Sequence, residues 1–149
     1  MRIAIAADHN GVALKHRLVE HLTALGHDVN DRGVDEVVEV DYPRLCADIG
    51  HHVGDGIADR GIMIGGTGSG ETIALNKIDG VRATLCERVF LAEIARANND
   101  GNVLVLGAKI TAPDLAMRIV DRWLTTDFTG GKHARRLAQI AAMERGESI

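Results

Sequence analysis

The segment Gly65-Gly66-Thr67-Gly68-Ser69-Gly70 is the part of the sequence best suited to binding an anion. A glycine-rich turn that leads into a helix exposes a row of backbone N–H groups, and such groups bind anions and oxyanions. The dinucleotide-binding pattern G-x-G-x-x-G does not fit, because its third glycine would fall on Glu71. Glu71 also stands where a phosphate-binding loop has its lysine. A carboxylate there would repel nucleotide phosphates, which disfavours a kinase or an ATPase.

The carboxylate of Glu71, directly after this segment, suits proton transfer. We expect the N-terminal end of a helix to favour its ionised form. Isomerisation of an aldose to a ketose needs a base that moves a proton between C2 and C1, and donors for the enediolate oxygen. One short loop could supply both, with Glu71 as the base and the amides of Gly66 to Gly70 as the oxyanion hole. The alternative is that Glu71 is only a favourable acid in the first turn of a helix.

A second group of polar residues lies near the carboxyl terminus. Lys132 and Arg136 are four residues apart, so they share a helix face, and His133 lies on its flank. Two cations beside the start of a helix could hold a phosphate. A solvated basic surface is the alternative. His51-His52 has no partners at ligand spacing, and we predict no metal site there.

The elements that must position these residues are visible in the apolar pattern. Continuous apolar runs predict strands that are buried on both faces, as in a parallel sheet, and helical patterns lie between them. This alternation predicts an α/β fold, a three-layer sandwich in which residues 1–149 form a single domain with a five-stranded sheet. The predicted strands are Ile3–Ala7, Asp28–Asn30 as the weakest, Gly61–Ile64, Val81–Leu85 and Val103–Leu106.

Helix boundaries can be predicted at four places. Leu14, Leu18, Leu22 and Leu25 recur at helical spacing, and Gly26 is the expected C-terminal cap. Asp41 and Thr111 each precede a proline by two residues, which predicts N-terminal caps. A last helix is expected from about residue 131, after Gly130-Gly131.

Most polar residues without a role in the core are expected at one edge of the sheet, since ligands of such folds bind beyond the carboxyl ends of the strands. Asp8-His9-Asn10-Gly11 follows the first strand, and the glycine-rich segment follows the third. Gly107-Ala108-Lys109 follows the fifth strand. We predict that Asn98-Asn99-Asp100, which follows the fourth helix, joins them.

Composition limits the possible functions. The chain has 149 residues, 46% of them hydrophobic, which fits one domain with a core and excludes a disordered chain. No apolar run approaches the ~20 residues that span a membrane, and the net charge of −4 disfavours a nucleic-acid partner. Cys46 and Cys86 form no disulfide framework or zinc pattern, so we predict two core thiols. The N-terminus lacks the layout of a signal peptide, and we expect a cytoplasmic protein without a membrane partner.

Taken together, these features resemble the ribose-5-phosphate isomerase B family, which includes the galactose-6-phosphate isomerase subunits. The resemblance extends from Ile3 to about Ala141 and implies a Rossmann-like sandwich. It also implies a homodimer, with a tetramer as the alternative, that has its sites between subunits and isomerises a small phosphorylated sugar without a metal or cofactor. The motifs that carry it, in family order, are Ala7-Asp8-His9-Asn10-Gly11, Asp41-Tyr42-Pro43, Gly66-Thr67-Gly68-Ser69-Gly70, Ala74-Leu75-Asn76-Lys77, Asn99-Asp100 and Gly130-Gly131-Lys132-His133-Ala134-Arg135-Arg136.

The resemblance also implies roles for single residues. Many members have a cysteine base at the position of Gly65, but a second branch has Gly-Gly before the loop and a glutamate after it. This chain resembles that branch, which implies Glu71 as the base. The implied catalytic residues are Glu71, Thr67, His9 and Asn98. The implied substrate contacts are Asp8, His9, Tyr42, Gly66, Thr67, Gly68, Ser69, Gly70 and Asn99, with Lys109, Lys132, His133 and Arg136 at the phosphate.

Asn98 departs from the family, which usually has a histidine there that is credited with opening the sugar ring. Asparagine cannot shuttle a proton at neutral pH. Either another group opens the ring, such as His9 or His133, or the substrate needs no opening. The sequence therefore predicts an isomerase of the ribose 5-phosphate/ribulose 5-phosphate type. An isomerase of tetrose or tetrulose 4-phosphates or of hexose 6-phosphates, and a non-catalytic sugar-phosphate sensor, remain the alternatives.

Overall fold

The computed structural model describes all residues from 1 to 149. They form one five-stranded sheet whose neighbouring strands are all parallel, in the order β2-β1-β3-β5-β4. The strands are β1 (Arg2–Ala7), β2 (Asp28–Asp31), β3 (Arg60–Gly65), β4 (Ala83–Leu85) and β5 (Val103–Gly107). The helices are α1 (Val12–Ala24), α2 (Tyr42–Gly54), α3 (Ser69–Leu75), α4 (Val89–Ala97), α5 (Pro113–Thr125) and α6 (Lys132–Glu144).

The core lies on both faces of the sheet, so the predicted three-layer sandwich is confirmed. In β3, Ile62 and Ile64 point to the face covered by α1, α4 and α5, and Met63 points to the face covered by α2 and α3. Cys86 lies in the first of these two layers and Cys46 in the second, and both thiols are buried as predicted. Strands with apolar contacts on both faces are continuously apolar, which is why their pattern identified them.

The first helix ends as the sequence predicts. Gly26 has a left-handed backbone with a φ of 82°, a conformation that glycine adopts without steric cost. Its N–H donates to the Thr23 carbonyl at 2.9 Å, and the His27 N–H donates to the Leu22 carbonyl at 3.1 Å. This pair of hydrogen bonds is the Schellman motif.

The predicted N-terminal caps differ in their outcome. Asp41 occupies the cap position of α2, although its side chain makes no capping hydrogen bond. For α5 the cap position belongs to Ala112, so the prediction of Thr111 is wrong by one residue. The reason is that Thr111 is buried in the preceding turn, and its hydroxyl has no partner there. The start of α6 at Lys132, directly after two glycines, matches the prediction.

The two ends of the sheet differ in their ability to form a ligand site. We call the end where the strands finish the carboxyl edge and the opposite end the amino edge. The helices after β1 and β3 pack on opposite faces, since α1 belongs to one layer and α3 to the other. The crevice at the carboxyl edge between these two strands is where such sheets bind ligands. No helix is long and apolar enough to cross a membrane.

Candidate active site

The glycine-rich loop lies at the carboxyl edge, where it connects β3 to α3. It is held from the neighbouring strand end, because the N–H of Ala108 donates to the Gly65 carbonyl at 2.8 Å and that of Lys109 to the Gly66 carbonyl at 3.0 Å. At Gly68 the φ of 82° turns the chain into the helix. A side chain at Gly107 would come within 2.6 Å of the Thr67 carbonyl oxygen, so the loop packs directly on the end of β5.

The loop leaves several backbone donors free. The N–H groups of Gly66, Thr67, Gly68 and Gly70 donate no hydrogen bond within the chain. That of Ser69 reaches only the Thr67 hydroxyl, at 3.4 Å. Free N–H groups that converge in a turn at the start of a helix can bind an oxyanion.

Glu71 lies in the first turn of α3 with only 4% of its surface exposed. Its carboxyl group points back toward β3, into the space beside Gly65. A Cβ atom at residue 65 would overlap that carboxyl group, with Oε2 at 2.6 Å. The structure therefore places a buried carboxylate against the loop that carries the free donors.

The environment of Glu71 raises its pKa above the ordinary value of 4.5. Burial is the main cause, a hydrogen bond to its own backbone N–H opposes it, and the nearby charge of Asp8 raises the pKa further. The sequence predicted the opposite direction, because it considered only the start of the helix. In the structure, desolvation of the carboxylate outweighs that contribution.

Asp8 and His9 follow the end of β1, and Asp8 lies close enough to Glu71 for its charge to raise the pKa of that carboxyl group. Asp8 is 4% exposed and accepts hydrogen bonds from the backbone N–H of Asn10 at 2.8 Å and from its side chain at 3.0 Å. His9 lies between two donors, with the Val40 N–H at 3.5 Å from Nδ1 and the Asn10 amide nitrogen at 3.2 Å from Nε2. A neutral imidazole has one acceptor nitrogen, so His9 accepts from one of them at a time.

Tyr42 and Cys46 reach the same place from α2. The Tyr42 ring packs on Gly70, where a Cβ atom would overlap the hydroxyl and lie 2.6 Å from Cζ. The pKa of the Cys46 thiol is raised to about 12, first by burial and then by the charges of Glu71 and Asp8. A thiol with that pKa is protonated at neutral pH, so it is not a nucleophile.

Lys109 brings a positive charge to the carboxyl edge. Its side chain and that of Asn10 flank Gly66, since a Cβ atom there would lie 3.7 Å from Cδ of the lysine and 3.3 Å from the amide nitrogen of the asparagine. Lys109 is exposed and makes no ion pair within the chain. The prediction from sequence gives Asn10 no role in the site. Its place directly after Asp8 and His9 at the end of a strand could have indicated one.

The remaining predicted site residues lie elsewhere. Asn98 and Asn99 follow the end of α4, near Asn102, whose side chain accepts from the Arg82 N–H at 2.7 Å before β4 begins. The hydroxyl of Thr129 donates to the Ala97 carbonyl at 2.7 Å, which ties the segment before α6 to the same end of α4. This is the amino edge, about 16 Å from the other edge along a strand of five residues at ~3.3 Å each.

The prediction that Asn98-Asn99-Asp100 joins the other polar residues at the carboxyl edge is therefore wrong. Each helix of a parallel sheet runs back against its strand, so the residues after α4 lie at the amino edge. The structure brings one group together at the carboxyl edge, namely Asp8, His9, Tyr42, Gly66, Thr67, Gly68, Ser69, Gly70, Glu71 and Lys109. The other group is associated with the amino edge and the start of α6, namely Asn98, Asn99, Lys132, His133 and Arg136.

No group of three or more His, Cys, Asp or Glu side chains in the chain is arranged to hold a metal ion. One pair of acidic groups at the carboxyl edge, Asp8 and Glu71, lies beside the glycine-rich loop. Its surroundings are backbone N–H groups, Asn10, Tyr42 and Lys109, which suit proton transfer beside a bound oxyanion.

Known proteins resemble this chain in sequence and in fold over nearly its whole length. Residues 3–140 match the family model described as "Ribose/Galactose Isomerase". A protein of Escherichia coli named ribose-5-phosphate isomerase B is 40% identical over 144 residues, which cover 97% of each chain. A protein of Pectobacterium atrosepticum named D-erythrulose-4-phosphate isomerase is 36% identical over 148 residues, which cover 99% of this chain and 97% of its own.

A solved structure agrees with these relatives. The structure of ribose-5-phosphate isomerase B of Clostridium thermocellum superposes with a TM-score of 0.97 at 41% identity. The superposition covers 99% of this chain and 100% of the other. With the family model and the relatives matching nearly every residue, this chain belongs to the ribose/galactose isomerase family.

Proposed function

We propose that this chain interconverts the aldose and ketose forms of a small sugar phosphate, of the ribose 5-phosphate/ribulose 5-phosphate type. The observation that carries the proposal is the buried carboxylate of Glu71 beside the free N–H groups of Gly66 to Gly70. The names of the relatives from Escherichia coli and Clostridium thermocellum support the choice of the five-carbon substrate.

Glu71 and the glycine-rich loop together account for the reaction, with Glu71 moving the proton and the loop stabilising the oxyanion. The Glu71 carboxylate takes the proton from C2 of the aldose, the C1–C2 double bond forms, and the carbonyl electrons move onto O1. The free N–H groups stabilise the resulting enediolate. Glu71, now a carboxylic acid, returns the proton to C1, while the hydroxyl proton on O2 passes to O1 and C2 becomes the carbonyl carbon. These steps need no redox cofactor, since two protons and the bonding electrons only change place within the sugar.

The neighbours of Glu71 fit supporting roles. A raised pKa makes its carboxylate a stronger acceptor for a proton bound to carbon. We propose that Asp8 and His9 hold hydroxyl groups of the sugar and that the hydroxyl of Thr67 adds a donor beside the oxyanion. Tyr42, packed on Gly70, closes the site on the side of α2.

We propose further that two copies of the chain complete each site. The positive charges of Lys132 and Arg136 are exposed on α6, at the edge opposite Glu71. A sugar phosphate is too small to reach both edges of one chain. A homodimer would place the amino-edge group of one copy, with Asn98, Asn99 and His133, against the carboxyl edge of the other. Large apolar side chains exposed on α4 and α6 support such an interface, including Phe90, Ile140 and Met143.

Mixed dimers test this arrangement. Glu71→Gln disables the carboxyl-edge group, and Lys132→Ala/Arg136→Ala disables the amino-edge group. If sites form between copies, a hybrid of the two variants has one site with both defects and one intact site. After unfolding and refolding of an equal mixture, we expect about a quarter of the wild-type kcat/KM. A mixture no more active than its two components would show that each chain holds a whole site.

The isomerase itself is tested with solvent isotope. Purified protein is incubated with ribose 5-phosphate in D2O, and deuterium at C1 or C2 is followed by NMR together with the appearance of ribulose 5-phosphate. Wild-type protein should convert the sugar and incorporate deuterium, while Glu71→Gln should do neither at a comparable rate. A sugar-phosphate sensor would bind the sugar in both forms and exchange no hydrogen.

Asn98 supports a tetrose 4-phosphate as a second candidate substrate. A four-carbon 4-phosphate has its C4 oxygen esterified and stays linear, so its isomerase needs no group that opens a ring. The relative named D-erythrulose-4-phosphate isomerase belongs to the same family. The comparison of kcat/KM for erythrulose 4-phosphate and ribose 5-phosphate, in wild type and Asn98→His, decides between them. A four-carbon preference that the histidine shifts toward ribose 5-phosphate would support the second candidate.

A further inference from the structure

Lys15 is a fully buried cation within the apolar face of α1. Its side chain has no exposed surface, and it shares that face with Leu14, Leu18 and Leu22. Its Nζ contacts Asp31 at 2.8 Å and Asp35 at 2.7 Å. Asp31 is the last residue of β2, and Asp35 lies in the segment that follows it. The buried amino group therefore ties both the end of this strand and the segment after it to α1.

We propose that Lys15 is a positioning residue, which fixes residues 32–41 and through them orients His9 and Tyr42 in the site. This inference rests on the proposed function for its catalytic meaning. The segment 32–41 contains no helix or strand. Two backbone hydrogen bonds tie its start to β1, from the Arg32 N–H to the Ile5 carbonyl at 2.8 Å and from the Val34 N–H to the Ala7 carbonyl at 3.5 Å. Beyond Val34, its position depends on contacts that involve side chains.

The first half of the segment is held against the end of β1. The Asp31 carboxylate that binds Lys15 also accepts from the Gly33 N–H at 3.0 Å. Gly33 packs so closely that a Cβ atom would lie 2.6 Å from the Ala7 nitrogen and 2.9 Å from Cδ of Lys15. Both the aliphatic part and the amino group of Lys15 therefore contact the segment. The contact lies next to Ala7, the residue before Asp8.

The second half of the segment reaches the candidate active site. The Val40 N–H lies 3.5 Å from His9 Nδ1. Two residues later the chain enters α2 at Tyr42, whose ring packs on Gly70. An Arg32–Asp48 pair connects the start of the segment to the same helix. A shift at Asp35 would therefore be transmitted to His9 and to Tyr42.

The surroundings of Lys15 and its two carboxylates favour a positioning role over a stabilising one. Buried ion pairs add little net stability, because desolvation of the charges offsets their attraction. Here Asp31 and Asp35 have 31% and 75% of their side chains exposed, so they can rehydrate when the cation is removed. His16 also contacts Asp35, at 3.2 Å. Methionine at residue 15 would fill the same apolar channel without the charge.

The test compares Lys15→Met with Arg17→Met, which removes an exposed cation of the same helix that pairs with Asp114. Hydrogen exchange of the amides from 32 to 41 and the imidazole 15N shifts of His9 are measured, followed by kcat and KM. In Lys15→Met we expect exchange in the segment to be about tenfold faster, shifted His9 signals and a lower kcat, while the β3 amides stay protected. Arg17→Met should change none of these.

Unchanged segment exchange and His9 signals in Lys15→Met would overturn the inference, as would faster exchange that includes β3. If Lys15→Met does not fold, Asp35→Asn takes its place, because that exposed side chain can change without a cavity. It should give the same pattern in weaker form, and a wild-type pattern there would also overturn the inference. Exchange and shifts need no substrate. If the wild-type chain isomerises no sugar, the proposed function is refuted. The exchange and shift measurements still test the role of Lys15.

Discussion

The carboxyl group of Glu71 occupies the space that a side chain at residue 65 would fill. Glycine at this position is therefore a condition for the buried carboxylate, and the two residues form one unit. A chain with a larger residue 65 would have to place its base differently. A cysteine at residue 65 would therefore overlap a glutamate side chain directed into the same space.

Glu71→Gln should lower kcat by about 10²–10⁴-fold, the usual contribution of a general base. Glutamine keeps the size and hydrogen bonding of the side chain but accepts no proton, so KM should change little. Steady-state kinetics with the preferred sugar phosphate measures both. Cys86→Ala, in the apolar layer across the sheet, is the matched control and should keep kcat. Near-normal turnover of Glu71→Gln would remove this residue from the mechanism.

Gly65→Ala should act on the same carboxylate from the other side. The added methyl group overlaps the Glu71 carboxyl group, so this group must move out of the site. We expect kcat to fall toward that of Glu71→Gln, and the double variant to lose little more, since both changes act through one group. Gly54→Ala at the far end of α2 is the control. Additive losses in the double variant would contradict the steric relationship.

The pH profile should show the raised pKa of Glu71. Since the base acts only when ionised, the acid limb of kcat/KM should lie above pH 4.5, the ordinary value for glutamate. Asp8 is one cause of the shift, so Asp8→Asn should move the limb to lower pH, whatever it does to the maximal rate. A limb at or below the ordinary value in wild type would show that burial does not control this carboxylate.

Stability should carry the same signature. Between the ordinary pKa of Glu71 and its raised value in the folded chain, the folded state binds more protons than the unfolded state, so stability falls as pH rises. Glu71→Gln carries no charge to desolvate. The free energy of unfolding of this variant, relative to wild type, should therefore increase between about pH 4 and neutral pH. Urea unfolding at several pH values measures the difference, and a constant difference would contradict the prediction.

Lys132→Ala and Arg136→Ala should mainly raise KM, because we propose that these cations bind the phosphate and leave proton transfer to Glu71. Inorganic phosphate should compete with the sugar phosphate in wild type and lose its effect in the variants. Arg145→Ala near the end of the same helix, where Arg145 pairs with Glu147, is the control. A fall in kcat with unchanged KM would assign these residues a different role.

The fold was predictable where one physical effect dominates. Strands buried on both faces must be apolar throughout, as the buried residues of β1, β3 and β5 are. All five strands were predicted within two residues of their ends, although β2 is polar and mostly exposed. At β4 the predicted start at Val81 was early, since its N–H closes a turn onto Ile78 and the ladder begins at Ala83. The α1 cap was predictable because only a left-handed residue ends a helix in that way.

Features that depend on three-dimensional context were not predictable in the same way. The predicted edge for Asn98 is wrong, although a parallel sheet already requires that a helix between two strands ends at the amino edge. The pKa shift of Glu71 was given the wrong direction because burial arises from packing by α2 and β1. The burial of Lys15 was not predicted, although a lysine among the leucines of one helix face indicates a buried partner.

The separation of the two polar groups, at opposite edges of one sheet, has a consequence for how the protein behaves on dilution. If neither group alone turns over substrate, only paired chains are active. Specific activity then depends on protein concentration, because it measures the fraction of chains that are paired. In assays at decreasing protein concentration, the rate should fall in proportion to the first power of concentration while pairs persist, and with its square once they dissociate. The concentration at which the order changes would report the dissociation constant without any separate measurement of size.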